Sequence, residues 1–322
     1  MMKIVFLDRK TIGEDIDLSD FYELGEVVIY DFSTSEEIPD RVKDADVIVL
    51  NKALVNEETI GNAPNLKLVC VTATGTNNLD KEFLAKRGIA WRNVAGYSTE
   101  AVAQHTFALL FYLFEHMCYY DDYVKSEKYV GDKMFTHFEK HFGELAGKTW
   151  GIIGLGAIGK RVAQIAECFG AEVVYYSTSG KNHNDDYKEV TLDELLKSSD
   201  IVSVHAPLDD NTLHLIDKNA LSKMKKTAFL INVGRGPIIV EGDLADALEN
   251  GTIAGAGLDV LDAEPMLDSN PLKRIKDSDK LIITPHIAWA AKEARERLMQ
   301  IIAGQIKEFI NFTMCFLFKF VV

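Results

Sequence analysis

The chain has 322 residues, of which 47% are hydrophobic, enough apolar side chains to build the cores of two domains. It carries 35 basic and 49 acidic residues, a formal net charge of −14, and no basic stripe that would favour nucleic acid or an anionic membrane as a partner. The four cysteines, Cys70, Cys118, Cys168 and Cys315, form no CxxC pair, which argues for a reducing, cytoplasmic compartment and against a disulfide framework or a metal site.

Short apolar runs alternate with polar helical stretches over the first hundred residues. The opening run reaches Asp8 too early to be the apolar core of a signal peptide and instead predicts a first strand. Further buried parallel strands are predicted at residues 27–30, 47–50 and 66–72. This pattern predicts a small flavodoxin-like α/β domain over residues 1–98.

A segment without Gly or Pro follows at residues 99–128 and is predicted to be one long helix. It opens at Ser98 and Thr99, which are good N-cap residues. Its side chains are apolar almost all round, and a helix of that kind must be buried on every side. We therefore expect it to pack between domains or against a second subunit, which predicts a homodimer formed through this helix.

A second series of alternating strands and helices begins near Gly147, and the boundaries between its elements are clear. Six strands are predicted, at residues 149–153, 172–176, 201–205, 228–232, 256–259 and 281–284, and helices follow most of them. One helix opens with a capping box formed by Thr191 and Glu194. The series predicts a Rossmann-type, doubly wound parallel sheet.

The final helix, predicted at residues 291–310, is expected to return to the first domain. The predicted domains are therefore residues 1–98 with 291–322, and residues 99–290. The segment after Ile310 is apolar, too short to span a bilayer, and contains Lys319. It could pack in an interface, form an exposed apolar tail, or replace an ordinary polar end, and the residues do not decide between these.

A glycine hexad links the first strand of the second series to its helix. Gly154, Gly156 and Gly159 stand in a GxGxxG pattern whose turn residues include Ala157 and Ile158. The first glycine allows the tight turn, the second lets a phosphate approach the main chain, and the third lets helix and strand pack closely. The helix N-terminus then faces the diphosphate, so the hexad predicts a dinucleotide site.

Three polar residues follow strands of the same series: Arg235, Glu264 and His286. Each alone has an ordinary interpretation as a loop residue. In an open α/β sheet, however, ligands bind at the carboxyl ends of the strands. Because the chain also contains a dinucleotide-binding loop, the three residues together predict a catalytic site beside the nicotinamide ring.

The ordered motifs resemble those of the D-isomer-specific 2-hydroxyacid dehydrogenase family over essentially the whole chain up to about Ile310. Residues 98–106 and 285–289 are further similar to its glycerate dehydrogenase (hydroxypyruvate reductase) branch. Besides the glycine loop, the motifs that carry the resemblance are 205–208 with Thr212, 232–236, 257–260, Glu264-Pro265 and Pro285-His286.

By that resemblance, His286 is the acid/base, Glu264 its partner and Arg235 the clamp on the substrate. A carboxylate at Glu264 would favour the imidazolium form of His286 and fix its orientation. A planar guanidinium at Arg235 can hold a carboxylate and a neighbouring carbonyl together.

The family pattern implies further contacts to cofactor and substrate. Asp259 is expected to bond the nicotinamide carboxamide, Thr106 to lie near that ring, and Thr74 and Gly75 to meet the substrate carboxylate. Asn51 and Lys52 either line the same pocket or form an ordinary turn. Trp289 would crowd bulky substrates if it faces inward. The other expected cofactor-binding residues are His205, Ala206, Pro207, Thr212, Asn232, Val233 and Gly234.

The second strand of the series lacks the carboxylate that usually binds the adenosine ribose in NAD-dependent proteins. Ser177, Thr178 and Lys181 stand there instead, and two hydroxyls with a lysine could bind a 2′-phosphate. We therefore expect NADPH to be favoured over NADH, although Ser177 could simply bond the ribose and allow either cofactor.

The sequence thus predicts an NAD(P)-dependent oxidoreductase that reduces a small 2-keto acid to the D-2-hydroxy acid and catalyses the reverse reaction. Hydroxypyruvate and glyoxylate are the favoured substrates, and a D-lactate or aromatic D-lactate dehydrogenase is the alternative. A rival of another class is an NAD(H)-sensing scaffold of the co-repressor type, although no segment suggests a peptide groove.

Overall fold

The computed structural model describes residues 2–181 and 183–319, with side chains described up to Phe312 in the last helix. Its contacts divide the chain into two compact units. The first unit contains the residues up to Ser98 together with those from Ala290 onward, and the second contains Thr99–Trp289. None of the described helices is long and apolar enough to cross a membrane.

The first unit is built on a five-stranded parallel sheet with strand order 2-1-3-4-5, the order of flavodoxin-like domains. Two of its three inner strands are buried at every residue, as expected for a sheet covered by helices on both faces. Its strands are β1 (Met2–Phe6), β2 (Gly25–Ile29), β3 (Val47–Leu50), β4 (Leu68–Val71) and β5 (Ala90–Arg92). Its first helices are α1 (Ser19–Tyr22), α2 (Ile38–Arg41), α3 (Glu57–Ile60) and α4 (Lys81–Arg87).

The second unit is built on a seven-stranded parallel sheet. Its strands are β6 (Thr149–Ile153), β7 (Glu172–Tyr176), β8 (Lys188–Glu189), β9 (Ile201–Val204), β10 (Phe229–Asn232), β11 (Gly255–Leu258) and β12 (Leu281–Ile283). The order is β12-β11-β10-β9-β6-β7-β8, so the direction of winding reverses between β6 and β9. This is the Rossmann order with one further strand, and it confirms the predicted doubly wound sheet.

Two short strands are absent from the sequence-based prediction. In the first unit, β5 covers only three residues, one of which is Arg92. In the second unit, β8 is a pair of exposed charged residues at the edge of the sheet. Neither strand presents the apolar run from which the other strands were predicted.

The helices of the second unit are α5 (Thr99–Phe114), α6 (Met117–Lys125), α7 (Ala157–Cys168), α8 (Leu192–Ser198), α9 (Lys218–Lys223) and α10 (Glu241–Glu249). The capping box at the start of α8 is confirmed. The Thr191 hydroxyl accepts from the Glu194 N–H at 3.3 Å, and the Glu194 carboxylate accepts from the Thr191 N–H at 2.9 Å.

The prediction of one helix over residues 99–128 is wrong. The chain breaks at His116, whose φ of +52° is left-handed, and α6 starts anew at the next residue. His116 Nδ1 lies 3.1 Å from an Asp279 carboxylate oxygen. Neither Gly nor Pro stands at this break, so no local helix-breaking residue indicates it.

Helices α5 and α6 differ in burial, and this difference bears on the predicted dimer through residues 99–128. Half of α5 is buried within its own unit, where Phe107 packs against Trp150 with ring centroids 4.7 Å apart. No residue of α6 is buried. The apolar character of α5 is therefore satisfied by the fold of this unit and requires no second subunit.

The last helix, α11 (Lys292–Lys319), begins one residue later and extends further than predicted. Within the first unit, Arg295 of α11 binds Asp15 through two side-chain hydrogen bonds of 2.6 and 2.9 Å. The apolar tail noted in the sequence falls partly outside the described residues, since residues 320–322 and the side chains from Thr313 onward lie beyond them.

Candidate active site

The glycine loop joins β6 to α7 at the point where the strand order reverses. Gly154 has a φ of +91°, and a Cβ there would lie 2.8 Å from the Ala206 backbone nitrogen, so only glycine fits. A Cβ at Gly159 would overlap the carbonyl oxygen of Gly154. Gly156 and Ala157, by contrast, are exposed, and a Cβ at Gly156 would meet nothing within 4 Å. The loop is therefore an open cradle.

The N-terminus of α7 gives this cradle hydrogen-bond donors and a positive potential. The first N–H groups of any helix have no intrahelical acceptor and form the positive end of its dipole. Here those groups belong to the turn at Ala157, half-buried Ile158 and Gly159, directly after the open loop. An anionic diphosphate fits this donor set.

The end of β7 supplies a second indication of a ligand. Ser177 is buried, and its hydroxyl has no hydrogen-bond partner among the described residues. Buried polar groups are normally paired, so an unpaired hydroxyl beside the cradle is explained by a ligand oxygen. Thr178 is half-buried and Lys181 is exposed. These residues fit the adenosine ribose end of a dinucleotide and present no carboxylate to it.

The loop after β9 contains half-buried His205 and buried Thr212. His205 Nε2 lies 3.0 Å from the Ser203 hydroxyl, and His205 Nδ1 is buried without a partner among the described residues. Burial lowers the pKa of His205 to about 3, so this ring is neutral at physiological pH. The buried Thr212 hydroxyl donates to the Pro207 carbonyl at 2.7 Å and accepts from the Asp209 N–H at 2.8 Å.

The loop after β10 carries Arg235 and is held by Asn232. The Asn232 side chain accepts from the Gly234 N–H and donates to the Arg235 carbonyl, each at 3.0 Å. Val233 is buried between them. One Arg235 nitrogen donates to the Gly234 carbonyl at 2.7 Å, and no described carboxylate lies within ion-pair distance of the guanidinium. Its planar fork is therefore able to bind an anion from outside.

Glu264 and His286 form a hydrogen-bonded pair. His286 Nδ1 lies 2.7 Å from Glu264 Oε2, and Glu264 Oε1 accepts from the Leu261 N–H at 3.0 Å. The two side chains are 27% and 34% exposed, so the pair is accessible from solvent. Because Nδ1 faces the carboxylate, Nε2 is the ring nitrogen that can meet a substrate.

The three residues follow neighbouring strands. Arg235 follows β10, Glu264 follows β11 and His286 follows β12, and these strands are adjacent in the sheet. A Cβ on Gly236 would overlap the Leu261 carbonyl, so the Arg235 loop packs directly against the loop that leads to Glu264. The strand-end rule thus locates these residues at one edge of the second sheet.

Three other predicted residues have side chains engaged within the second unit. Asp259 is 1% exposed and accepts from the N–H groups of Ile287 and Ala288. Thr106 is fully buried in α5 and donates to the Val102 carbonyl at 2.9 Å. Trp289 is half-buried and packs against the core of this unit. Their contacts with cofactor or substrate remain predictions.

The predicted substrate residues of the first unit follow β3 and β4. Asp8, which the sequence-based prediction missed, accepts from the N–H groups of Asn51, Lys52 and Ala53 at 2.7–3.0 Å. Burial raises the pKa of Asp8 from its ordinary value, while these N–H bonds oppose that shift. The side-chain oxygen of Asn51 is buried and without a partner among the described residues.

The second loop of this edge contains Thr74 and Gly75. The Thr74 hydroxyl donates to the Val94 carbonyl at 3.0 Å, and Gly75 is half-buried. Asp8 lies just after the first strand, so the strand-end rule that identified Arg235 can also identify it.

Comparison with known proteins agrees with this geometry. Residues 107–288 match the family described as D-isomer specific 2-hydroxyacid dehydrogenase, NAD binding domain. The chain is 38% identical to a hydroxypyruvate reductase of Blautia hydrogenotrophica, over 96% of this chain and 97% of that protein. It is 37% identical to a glycerate dehydrogenase of Methylorubrum extorquens, over 94% and 93%.

Solved structures extend the comparison. A D-lactate dehydrogenase from Aquifex aeolicus, complexed with NAD and lactic acid, has a TM-score of 0.82 at 29% identity and covers 96% of this chain and 95% of its own. An NADPH-dependent glyoxylate/hydroxypyruvate reductase from Sinorhizobium meliloti has a TM-score of 0.81 at 25% identity, covering 96% and 95%. The chain belongs to the D-isomer-specific 2-hydroxyacid dehydrogenase family.

Proposed function

We propose that this protein is an NAD(P)-dependent oxidoreductase that reduces a small 2-keto acid to the D-2-hydroxy acid and catalyses the reverse reaction. The His286–Glu264 pair, 2.7 Å apart on a nucleotide-binding unit, is the observation that carries the proposal. Hydroxypyruvate and glyoxylate are the favoured substrates, because relatives at 37–38% identity are a hydroxypyruvate reductase and a glycerate dehydrogenase.

Each polar residue then has a defined task. The nicotinamide cofactor, when bound, supplies or accepts the hydride. Arg235 holds the substrate carboxylate and the adjacent oxygen in its planar fork. His286 gives a proton from Nε2 to that oxygen during reduction and takes it back during oxidation. Glu264 orients the ring through its contact with Nδ1.

The two units divide these tasks in our proposal. The second unit is the nucleotide-binding domain, with the diphosphate at the glycine loop and the nicotinamide near Asp259 and Thr106. The first is the substrate domain, where Thr74, Gly75 and the Asn51-Lys52 turn bind the carboxylate end of the substrate. We also propose a reducing, cytoplasmic compartment, because the scattered cysteines form no CxxC pair.

We propose that NADPH is preferred over NADH. The unpaired, buried hydroxyl of Ser177 and the nearby Thr178 and Lys181 can bind a 2′-phosphate, which a carboxylate at this position would repel. Ser177→Asp should shift the ratio of kcat/KM for NADPH and NADH at least tenfold toward NADH. Ser198→Asp, which adds the same charge at the exposed end of α8, is the control and should leave the ratio unchanged.

We propose a homodimer formed through residues 117–142 rather than through α5. This segment exposes large apolar side chains, including Val130 at 76%, Phe135 at 89% and Phe138 at 67%. Together with Glu115, it also lines an open pocket of about 590 Å³ whose wall is mostly aromatic. Protruding and concave apolar features on one surface suit a two-fold, self-complementary interface.

Light scattering at micromolar concentration tests the dimer. Phe135→Glu should yield a monomer, whereas Leu213→Glu, a substitution of an exposed side chain elsewhere in the unit, should not. A monomeric wild type would contradict the proposal.

The activity is tested by following absorbance at 340 nm with hydroxypyruvate, glyoxylate, pyruvate and phenylpyruvate, each with NADPH and NADH. Highest kcat/KM on hydroxypyruvate or glyoxylate supports the proposal. Highest kcat/KM on pyruvate or phenylpyruvate favours the D-lactate or aromatic D-lactate alternative. Cofactor binding without turnover on any acid favours the NAD(H)-sensing scaffold.

A further inference from the structure

The loop that carries His286 requires outside support. His286 has a φ of +55°, a left-handed conformation that is unfavourable for a residue other than glycine. Its N–H donates to the Asp259 carbonyl at 2.8 Å and to the Thr284 carbonyl at 3.0 Å. The next two N–H groups, of Ile287 and Ala288, donate to the Asp259 carboxylate at 2.9 and 2.8 Å. Three consecutive amides are thus bound to one aspartate.

That aspartate is in turn held by two side chains. The Thr284 hydroxyl donates to Asp259 Oδ1 at 2.6 Å. His105 Nε2 lies 2.9 Å from the same hydroxyl oxygen and 3.5 Å from Asp259 Oδ1. A hydroxyl has one hydrogen, and Thr284 gives it to the carboxylate. The hydroxyl oxygen therefore accepts from His105 Nε2–H, which fixes the direction of the chain from His105 through Thr284 to Asp259.

His105 is well placed to anchor this chain. It lies on α5, a helix whose neighbouring side chains Val102, Ala103 and Leu109 are buried in the core. A polar side chain on such a helix has a fixed origin, and its hydrogen bond is worth more where water is largely excluded. Its ring is only 20% exposed.

We infer that His105 and Thr284 are positioning residues for the reaction, which act through Asp259 to hold the His286 loop in its productive conformation. The inference rests on the proposed function, because His286 is the proton donor there. Positioning of a reacting group contributes strongly to rate, so a loop that relaxes lowers kcat without removing any group that touches the substrate.

Matched substitutions separate this role from simple packing. Thr284→Val keeps the shape of the side chain and removes the hydroxyl, whereas Thr284→Ser keeps the hydroxyl. His105→Leu removes the donor, whereas His105→Gln places an amide N–H near the position of Nε2.

The first readout is hydrogen–deuterium exchange in the cofactor-free protein, measured on peptides that cover residues 285–289. Thr284→Val and His105→Leu should accelerate exchange of the amides of residues 286–288 about tenfold, and the conservative variants should restore most of the protection. This measurement does not depend on turnover, so a failure of the proposed substrate assignment would leave it interpretable.

The second readout is steady-state kinetics at saturating cofactor. Thr284→Val should lower kcat about tenfold to hundredfold with a smaller change in KM, and the double variant with His105→Leu should lose no more than the larger single loss. Unchanged exchange and unchanged kcat in correctly folded Thr284→Val would overturn the inference. Multiplying losses in the double variant, or no rescue by Thr284→Ser, would also contradict it.

Discussion

Both sheets of this protein place a buried aspartate after one strand and use it to hold the loop that follows the neighbouring strand. In the first unit, Asp8 follows β1 and binds three amides after β3. In the second, Asp259 follows β11 and binds amides after β12. The same backbone arrangement therefore occurs at the carboxyl edges of two separately folded sheets.

The two loops differ in what they hold and in what supports the aspartate. The Asp8 loop presents Asn51 and Lys52, which have no acid–base role in our proposal, and the described contacts of its carboxylate come from main-chain amides. The loop held by Asp259 presents His286, and the Asp259 carboxylate is itself contacted by the Thr284 hydroxyl and the His105 ring. We expect disruption of the second loop to lower kcat, and disruption of the first mainly to raise KM.

The largest effect is expected at the second loop itself. His286→Gln removes the proton donor, and kcat for 2-keto acid reduction should fall by about 10² to 10⁴ because general acid catalysis contributes on that scale. The cofactor dissociation constant, measured by fluorescence titration, should change little. His214→Gln is the control, since His214 is another histidine with a left-handed φ of +54°, and it should keep the wild-type rate. Equal losses of kcat in both variants would show that the loss at His286 comes from a change in backbone conformation and not from the missing proton donor.

The next largest effect is expected on KM at Arg235, the residue proposed to hold the substrate carboxylate. Arg235→Lys keeps the charge and removes the planar fork, so KM for keto acids should rise about tenfold to hundredfold with cofactor binding nearly intact. Arg274→Lys, at an exposed ion pair of the same unit, is the matched control. Unchanged KM would remove Arg235 from the substrate site.

A smaller effect is expected at the first loop. Asp8→Asn replaces one accepting oxygen by a nitrogen, so an amide of residues 51–53 loses its acceptor, and KM should rise about threefold to tenfold while kcat falls less than twofold. Asp259→Asn should instead lower kcat more than it raises KM. Steady-state kinetics on both variants tests this contrast, and the same pattern for both would break the comparison.

The smallest effect is on stability. Burial lowers the pKa of His205 to about 3 in the folded chain, against about 6.5 when unfolded. The unfolded state therefore binds more protons between these values, and stability contributed by the neutral ring is lost as pH falls through about 6.5. Between pH 7 and pH 5.5 wild type should lose about 1 kcal/mol more than His205→Gln in urea denaturation. Parallel pH dependence of both proteins would show that folding does not lower the pKa of His205.

Much of the fold could be predicted from the sequence because apolar runs and glycines report local structure directly. The strands β6 and β7 have the predicted boundaries, and the glycine loop lies between β6 and α7 as expected. The break at His116 could not be predicted, because neither Gly nor Pro stands there and its side chain contacts Asp279, 163 positions further along the chain.

The residues of the candidate site also divide into those that could be predicted from the sequence and those that could not. Arg235, Glu264 and His286 could be identified because each stands just after a strand, where the fold itself brings ligands. His105 and Thr284 could not, since His105 occupies a position on an otherwise apolar helical face and its contact to Thr284 spans 179 positions. Periodicity predicts which face of a helix is buried but not which distant hydroxyl it meets.

The most direct test of the account follows the hydride itself. Hydroxypyruvate is reduced with NADPH that carries deuterium at both C4 positions of the dihydronicotinamide ring, and the product is analysed by mass spectrometry and chiral chromatography. The account predicts D-glycerate with one deuterium at C2, formed by the wild type and nearly absent with His286→Gln. Unlabelled product, L-glycerate, or no product while cofactor remains bound would contradict the proposed reaction.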